Sequence, residues 1–253
     1  RAEQPRATAL WLPALGVAAR HYLPLAQALV SYGITVAVHE WRGHGSSSLR
    51  AGRHCNWGMA NLLQHDLPAS IAALDAAGCP PSILGGHSLG GQLACCLAPQ
   101  LPTATDLWLV AAGNPHWRSF PLPHRLYLPL VYNAAPVIAG LCGHLPGRSL
   151  GFGGREARGL IADWARVGRS GHYRRPVAVE AAMASVRTRC HGLVFSQDWM
   201  APESSLHALQ AKLPASACTA QALDASALGV ASDHFSWMQQ PVAVAEALQK
   251  QIR

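Results

Sequence analysis

Short apolar runs alternate with longer amphipathic stretches along the chain. ATALWLP (7–13), ITVAVHEW (34–41), SILGG (82–86), DLWLVAAG (106–113), HGLVFSQ (191–197) and SACTAQAL (216–223) read as strands. Each is short, apolar or β-branched, and bounded by turn formers. RHYLPLAQALVSYG (20–33), GMANLLQHDLPASIAALDAAG (58–78), LGGQLACCLA (89–98), APESSLHALQAKL (201–213) and PVAVAEALQKQI (241–252) read as helices. The first stops at Gly33, and the second is predicted to kink at Pro68. Strands alternating with helices predict right-handed crossovers and a mostly parallel sheet with helices on both faces.

The rhythm breaks between Asn114 and Cys190. NPHWRSFPLPHRLYLPL, GFGGREAR and DWARVGRSGHYRRP are rich in Pro, Gly, Arg and aromatics, and no clear strand falls among them. The expected organisation is an α/β core of residues 1–113 and 191–253, with 114–190 inserted as a mainly helical lid over the C-terminal edge of the sheet. Half of the 253 residues are hydrophobic and 13% are charged, enough for one sizeable core. No stretch reads as an integral membrane span, because the apolar runs are broken by Pro, Gly or charge. The chain opens RAEQPRATAL, with neither an initiator Met nor a signal-peptide pattern. The expectation drawn is a missing natural N-terminus, with a removed targeting segment left open.

Charge sharpens this division. Of the net +7, nine arginines between Arg148 and Arg189 set against Glu156, Asp163 and Glu180 contribute +6. Such a segment attracts anions, although a solvated arginine surface is the plainer reading. Nucleic acid is not an expected partner, since no binding module accompanies the arginines. Cys55, Cys79, Cys95, Cys96, Cys142, Cys190 and Cys218 form no CxxC or metal-ligand spacing. They read as small buried hydrophobes in a reducing cytoplasm, with no metal or cofactor expected.

The candidate chemistry centres on GHSLG, Gly86 to Gly90, a G-x-S-x-G at a strand-to-helix junction. A sharp turn there lifts Ser88 to the top of the sheet, and small neighbours let the backbone pack closely. The helix that follows points its N-terminus at the site, favouring developing negative charge. A serine hydroxyl needs a base, and that base an orienting acid, in the order Ser, acid, His for this fold class. Asp198, in SQDWMAP, follows a strand, and His234 lies in the loop after the last strand. Asp224 and Asp233 compete for the acid role. One oxyanion donor is expected from the N–H of Leu89. The other is expected from the loop PALGVAAR, with Leu15 first and Ala14 as the alternative. Trp117, Phe120, Tyr127 and Phe152 are candidates for an apolar acyl pocket, with ordinary lid core as the equal alternative. Arg155, with Arg158 and Arg169, is the candidate to bind an anionic substrate group. GFGGREAR lacks the Lys-Ser/Thr of a phosphate loop, and Gly151, Gly153 and Gly154 read as turn residues.

Together PALG, HEWRGHGSSS, GGHSLGG, SQDWMAP and DHFSW resemble the α/β-hydrolase family across nearly the whole chain, and the combination of PALGVAARHY, RGHGSS, GHSLGGQLA and GFGGREAR resembles a bacterial subgroup of it. The resemblance implies that fold and a triad of Ser88, Asp198 and His234, but no substrate. Where the family often has Asp-x-Arg-Gly-x-Gly-x-Ser, this chain has Glu40, Arg42, Gly43, Gly45 and Ser47. Where many members carry His-Gly, it has Pro13 and Ala14. The resemblance also implies two leading strands, and this chain starts at what reads as the third, which would leave the sheet edge exposed. The expected function is hydrolysis of a small-molecule carboxylic ester or thioester through an acyl-enzyme. An anionic substrate such as an acyl thioester or lysophospholipid would suit the arginines. An acyltransferase, a peptidase and a non-catalytic ligand binder are the alternatives, and the oligomeric state is open.

Overall fold

In the computed structural model, residues 2, 5–101 and 105–252 are described. The boundary residues of the expected core, 1, 3, 4 and 253, and residues 102–104 within it, lie outside the described residues.

The elements run β1 (Ala7–Leu12), α1 (Leu23–Val30), β2 (Ile34–Val38), α2 (Leu67–Ala76), β3 (Ile83–His87), α3 (Leu89–Leu97) and β4 (Asp106–Val110). The inserted segment then supplies α4 (His124–Cys142), β5 (His144–Pro146), β6 (Arg155–Ala157), α5 (Arg158–Ser170) and α6 (Val179–Ala184). β7 (Arg189–Phe195), α7 (Glu203–Gln210), β8 (Ala217–Leu223) and α8 (Val242–Gln249) complete the chain. Strand order is β2-β1-β3-β4-β7-β8, and every pairing in this sheet is parallel.

Period-two alternation distributes the core. Leu10, Leu12, Leu84, Leu107 and Leu109 face one side, with α2, α3, α7 and the inserted segment. Ala9, Trp11, Ile83, Trp108 and Val110 face the other, where α1 and α8 bring Leu25, Leu29, Val244 and Leu248. The strands therefore bury both faces, which the continuous apolar runs require.

Two expectations need correction. The irregularity near Pro68 is a π-turn, Leu62–Asp66, lying just before it. Pro68 has no N–H to offer, and the preceding Leu67 N–H reaches back to the Leu62 carbonyl, so the widened turn absorbs the lost bond. The inserted segment also contains strands. β5 and β6 form an antiparallel pair, with Leu145 opposite Glu156. Three residues a side is too short for a periodic signal. Helix α4, in turn, contains Pro129 and Pro136. Pro136 leaves the Tyr132 carbonyl without its helical donor, and the Arg169 guanidinium donates to that carbonyl instead.

Candidate active site

β3 ends at His87 and α3 begins at Leu89, so Ser88 forms the whole turn between them. Its backbone has φ 54° and ψ −118°, a left-sided conformation unusual for a residue with a side chain. The turn closes only because its neighbours are small. A Cβ on Gly86 would collide with the backbone of Gly90 and Gly91, and one on Gly90 with the Leu12 carbonyl. The Ser88 N–H donates to the Val110 carbonyl at 3.0 Å, which ties the turn to the neighbouring strand.

Asp198 and His234 come together from separate loops. Nδ1 of His234 lies 2.7 Å from Oδ2 of Asp198, and both residues are buried. The other carboxylate oxygen accepts from the N–H groups of Met200 and Ala201, at 2.8 and 3.1 Å. The carboxylate is thus fixed on three sides, and its partner nitrogen must carry the proton. The rival acids are occupied elsewhere. Asp224 caps the turn Ala225–Leu228 by accepting from the Ala227 N–H. Asp233 accepts from the N–H groups of Phe235 and Ser236.

The loop after β1 is pinned from several directions. The Ala14 N–H donates to the Tyr22 hydroxyl at 2.8 Å. That hydroxyl then donates to Nδ1 of His87, also at 2.8 Å. Burial drives the His87 pKa well below its usual range, helped by His234 nearby, so His87 is the neutral acceptor. Trp41 Nε1 holds the Pro13 carbonyl at 3.0 Å. At Gly16, φ is +79°, and a Cβ would collide with the backbone of Gly153 and Gly154. Gly16 therefore lets the inserted segment lie backbone to backbone on this loop, with Gly154 facing it. Among the described residues the N–H groups of Leu15 and Leu89 have no acceptor, whereas that of Ala14 is taken.

Ser88, Leu89, Leu15 and His234 line one cavity of about 460 Å³. Phe120, Tyr127 and Phe152 line it as well, joined by Leu128, Tyr132 and Ile138 from α4 and by Trp199 and Phe235. The lining includes no Asp, Glu, Lys or Arg. Trp117 and Arg155 are not brought to the cavity. Trp117 packs beside the core under the Arg118 and Arg125 guanidinium groups, and Nε of Arg155 donates to the Ala51 carbonyl at 2.6 Å. Arg169 serves the α4 backbone. Sequence reasoning missed Tyr22 and His87, and of the cavity wall formed by α4 it named only Tyr127. The aromatic at position 22 reads as core because nothing local marks its hydroxyl. No cluster of His, Cys, Asp or Glu suited to a metal ion occurs among the described residues.

The family model described as serine aminopeptidase, S33, matches residues 3–147. Solved structures share the fold at low identity. A monoacylglycerol lipase of Paleococcus ferrophilus superposes with a TM-score of 0.67 at 16% identity, over 98% of this chain and 96% of that one. A thermophilic esterase of Thermogutta terrifontis gives 0.65 at 16%, over 97% and 89%. A carboxylesterase structure from the thaumarchaeon Nitrososphaera gargenis gives 0.64 at 16%, over 99% and 91%. No curated protein matches the chain in sequence.

Proposed function

Because this chain belongs to the serine aminopeptidase S33 family of α/β-hydrolases, we propose that it hydrolyses carboxylic esters or thioesters with Ser88 as nucleophile. The observation that carries this reading is the buried His234–Asp198 pair at a cavity that Ser88 enters from a strained turn. Ser88 Oγ attacks the acyl carbon while His234 Nε2 takes its proton. Asp198 holds the imidazole and stabilises its charged form. The N–H groups of Leu89 and Leu15 receive the developing oxyanion. The intermediate collapses, the alcohol or thiol leaves with the proton from His234, and water repeats the sequence to release the acid and restore Ser88.

The lining favours a neutral, apolar acyl group. Without an arginine or lysine in the cavity, the anionic substrate drawn from charge has no partner there. Without a carboxylate, the cavity also lacks a group to hold the α-ammonium of an aminopeptidase substrate. An acyltransferase would use the same residues with an alcohol or thiol in place of water. We take residues 114–190 as the lid that sets acyl preference, since α4 forms much of the cavity wall. We infer a cytoplasmic location from the cysteine usage of the chain, although only Cys95, Cys96 and Cys190 are the buried hydrophobes expected, and Cys142 and Cys218 are exposed.

The test is hydrolysis of p-nitrophenyl esters of increasing acyl length by wild type and Ser88→Ala. Wild-type turnover should favour chains longer than acetyl. It should fall at least about 10⁴-fold in the variant, with the fold intact by circular dichroism. Equal turnover by both proteins overturns the assignment of Ser88.

A further inference from the structure

Helix α4 is apolar on two opposite sides. Its inner side carries Leu128, Tyr132 and Ala135, all buried against the cavity. Its outer side, continued from the preceding loop, carries Leu122, Leu126, Leu130, Val137 and Leu141, which are 61–71% exposed. Spacings of four and seven residues place them in one stripe. Solvent contact along such a stripe is costly, and its size marks an interaction face rather than scattered surface leucines. Tyr127, Val131 and Ala134 lie between the two sides. They are exposed and also line the cavity, so the stripe runs into the cavity mouth.

The surroundings say what covers this face. No Asp or Glu occurs between Asp106 and Glu156, a stretch that includes all of α4. Arg118 and Arg125 flank the start of the helix, with their guanidinium groups 4.9 and 5.5 Å from the Trp117 ring centre. At its end, Arg53 donates to the Leu141 carbonyl at 2.9 Å. Half-exposed Trp199 stacks on His124 at 4.8 Å and stands beside Tyr127. An apolar stripe with cations at both ends and amphipathic aromatic rings at one is matched by a bilayer with anionic headgroups. Acyl chains receive the leucines, phosphates the arginines, and the boundary between them the rings. A helix as long and apolar as α4 meets the length and composition of a membrane span. Its inner side is committed to the cavity and α5, so it can only lie in the membrane plane.

We infer that the protein docks peripherally on an anionic phospholipid bilayer through the outer face of α4, with the cavity mouth at Tyr127 and Val131 opening onto the acyl region. This goes beyond the hydrolytic reading and does not depend on it. The test therefore uses binding rather than turnover. The full chain carrying Ser88→Ala is sedimented with vesicles of phosphatidylcholine alone and of phosphatidylcholine with phosphatidylglycerol. Sedimentation with the anionic vesicles is expected, weakened by salt, with a blue shift of tryptophan emission. Leu126→Gln with Leu130→Gln, at two exposed positions outside the cavity lining, should lower partitioning about tenfold or more without changing the melting temperature. Leu141→Gln should do so to a smaller extent from the other end of the stripe. Three results overturn the inference: no sedimentation with anionic vesicles, equal sedimentation with both compositions, or binding unchanged by these variants. A solution dimer that the paired variant dissolves also overturns it, by assigning the face to a second copy of the chain.

Discussion

Tyr22 holds two parts of the site at once, the loop that carries Leu15 and the strand that leads into Ser88. Tyr22→Phe keeps the ring and removes the hydroxyl, leaving the Ala14 N–H and Nδ1 of His87 without partners in a buried place. We expect a loss of about 1–3 kcal/mol by urea unfolding. Steady-state kinetics should show kcat falling while KM holds, because the displaced N–H acts on the oxyanion and not on the bound ester. Ser88, Asp198 and His234 were legible as candidates because each sits in a short, chemically distinctive turn at a strand end. Tyr22 was not, because its partner is 65 positions away and its neighbours are those of any core aromatic. Trp117 and Arg155 were misleading for the complementary reason. Residue type suited a pocket, while position in space was set by contacts the sequence does not display.

Among the elements, the six strands of the main sheet were read well because short apolar runs bounded by turn formers mark strands buried on both faces, whereas the three-residue β5 and β6 leave no such signal. α4 was hidden by its own prolines, which lower helix propensity and usually end a helix. What keeps it continuous is tertiary. Arg169, the penultimate residue of α5, supplies the donor that Pro136 cannot give to Tyr132. Arg169→Met should therefore destabilise the protein by about 1–3 kcal/mol. In a Pro136→Ala background the restored N–H can satisfy the same carbonyl, so the second substitution should cost less. A double-mutant cycle by thermal or urea unfolding measures that coupling, and strict additivity would dismiss it.

At the scale of the molecule, buried histidines set the response to acid. Burial lowers the His39 pKa to about 4, with Asp66 and Glu40 opposing the shift, and Nδ1 is held 2.8 Å from the Ser70 hydroxyl. His87 is pushed down likewise. Both are neutral in the folded chain, whereas an unfolded histidine takes a proton near pH 6.5. Above that pH neither state binds the proton, and stability is at its full value. As pH falls below it, the unfolded state gains protons that the folded state refuses. Each group then removes about 1.4 kcal/mol per pH unit, for His39 down to about pH 4. Melting temperature should drop between pH 7 and pH 5, and His39→Gln should flatten the drop. A wild-type melting temperature constant over that interval would contradict the neutral assignment.

The contact between Gly16 and the Gly153–Gly154 backbone bears on how such a protein could be re-engineered. Inserted segments invite transplantation, one cap exchanged for another to change substrate range. Here the cap and the loop after β1 share a boundary with no room for a Cβ at Gly16 and little at Gly154, and Nε2 of His44 meets the Glu156 carboxylate across it at 3.2 Å. A foreign cap with a larger residue at 154 would press on the His44 ring and the Glu156 carboxylate and break their contact across the boundary. The graft that succeeds would carry residues 14–16, His44 and 151–156 as one heritable unit. Recombination between relatives should accordingly favour breakpoints outside those segments.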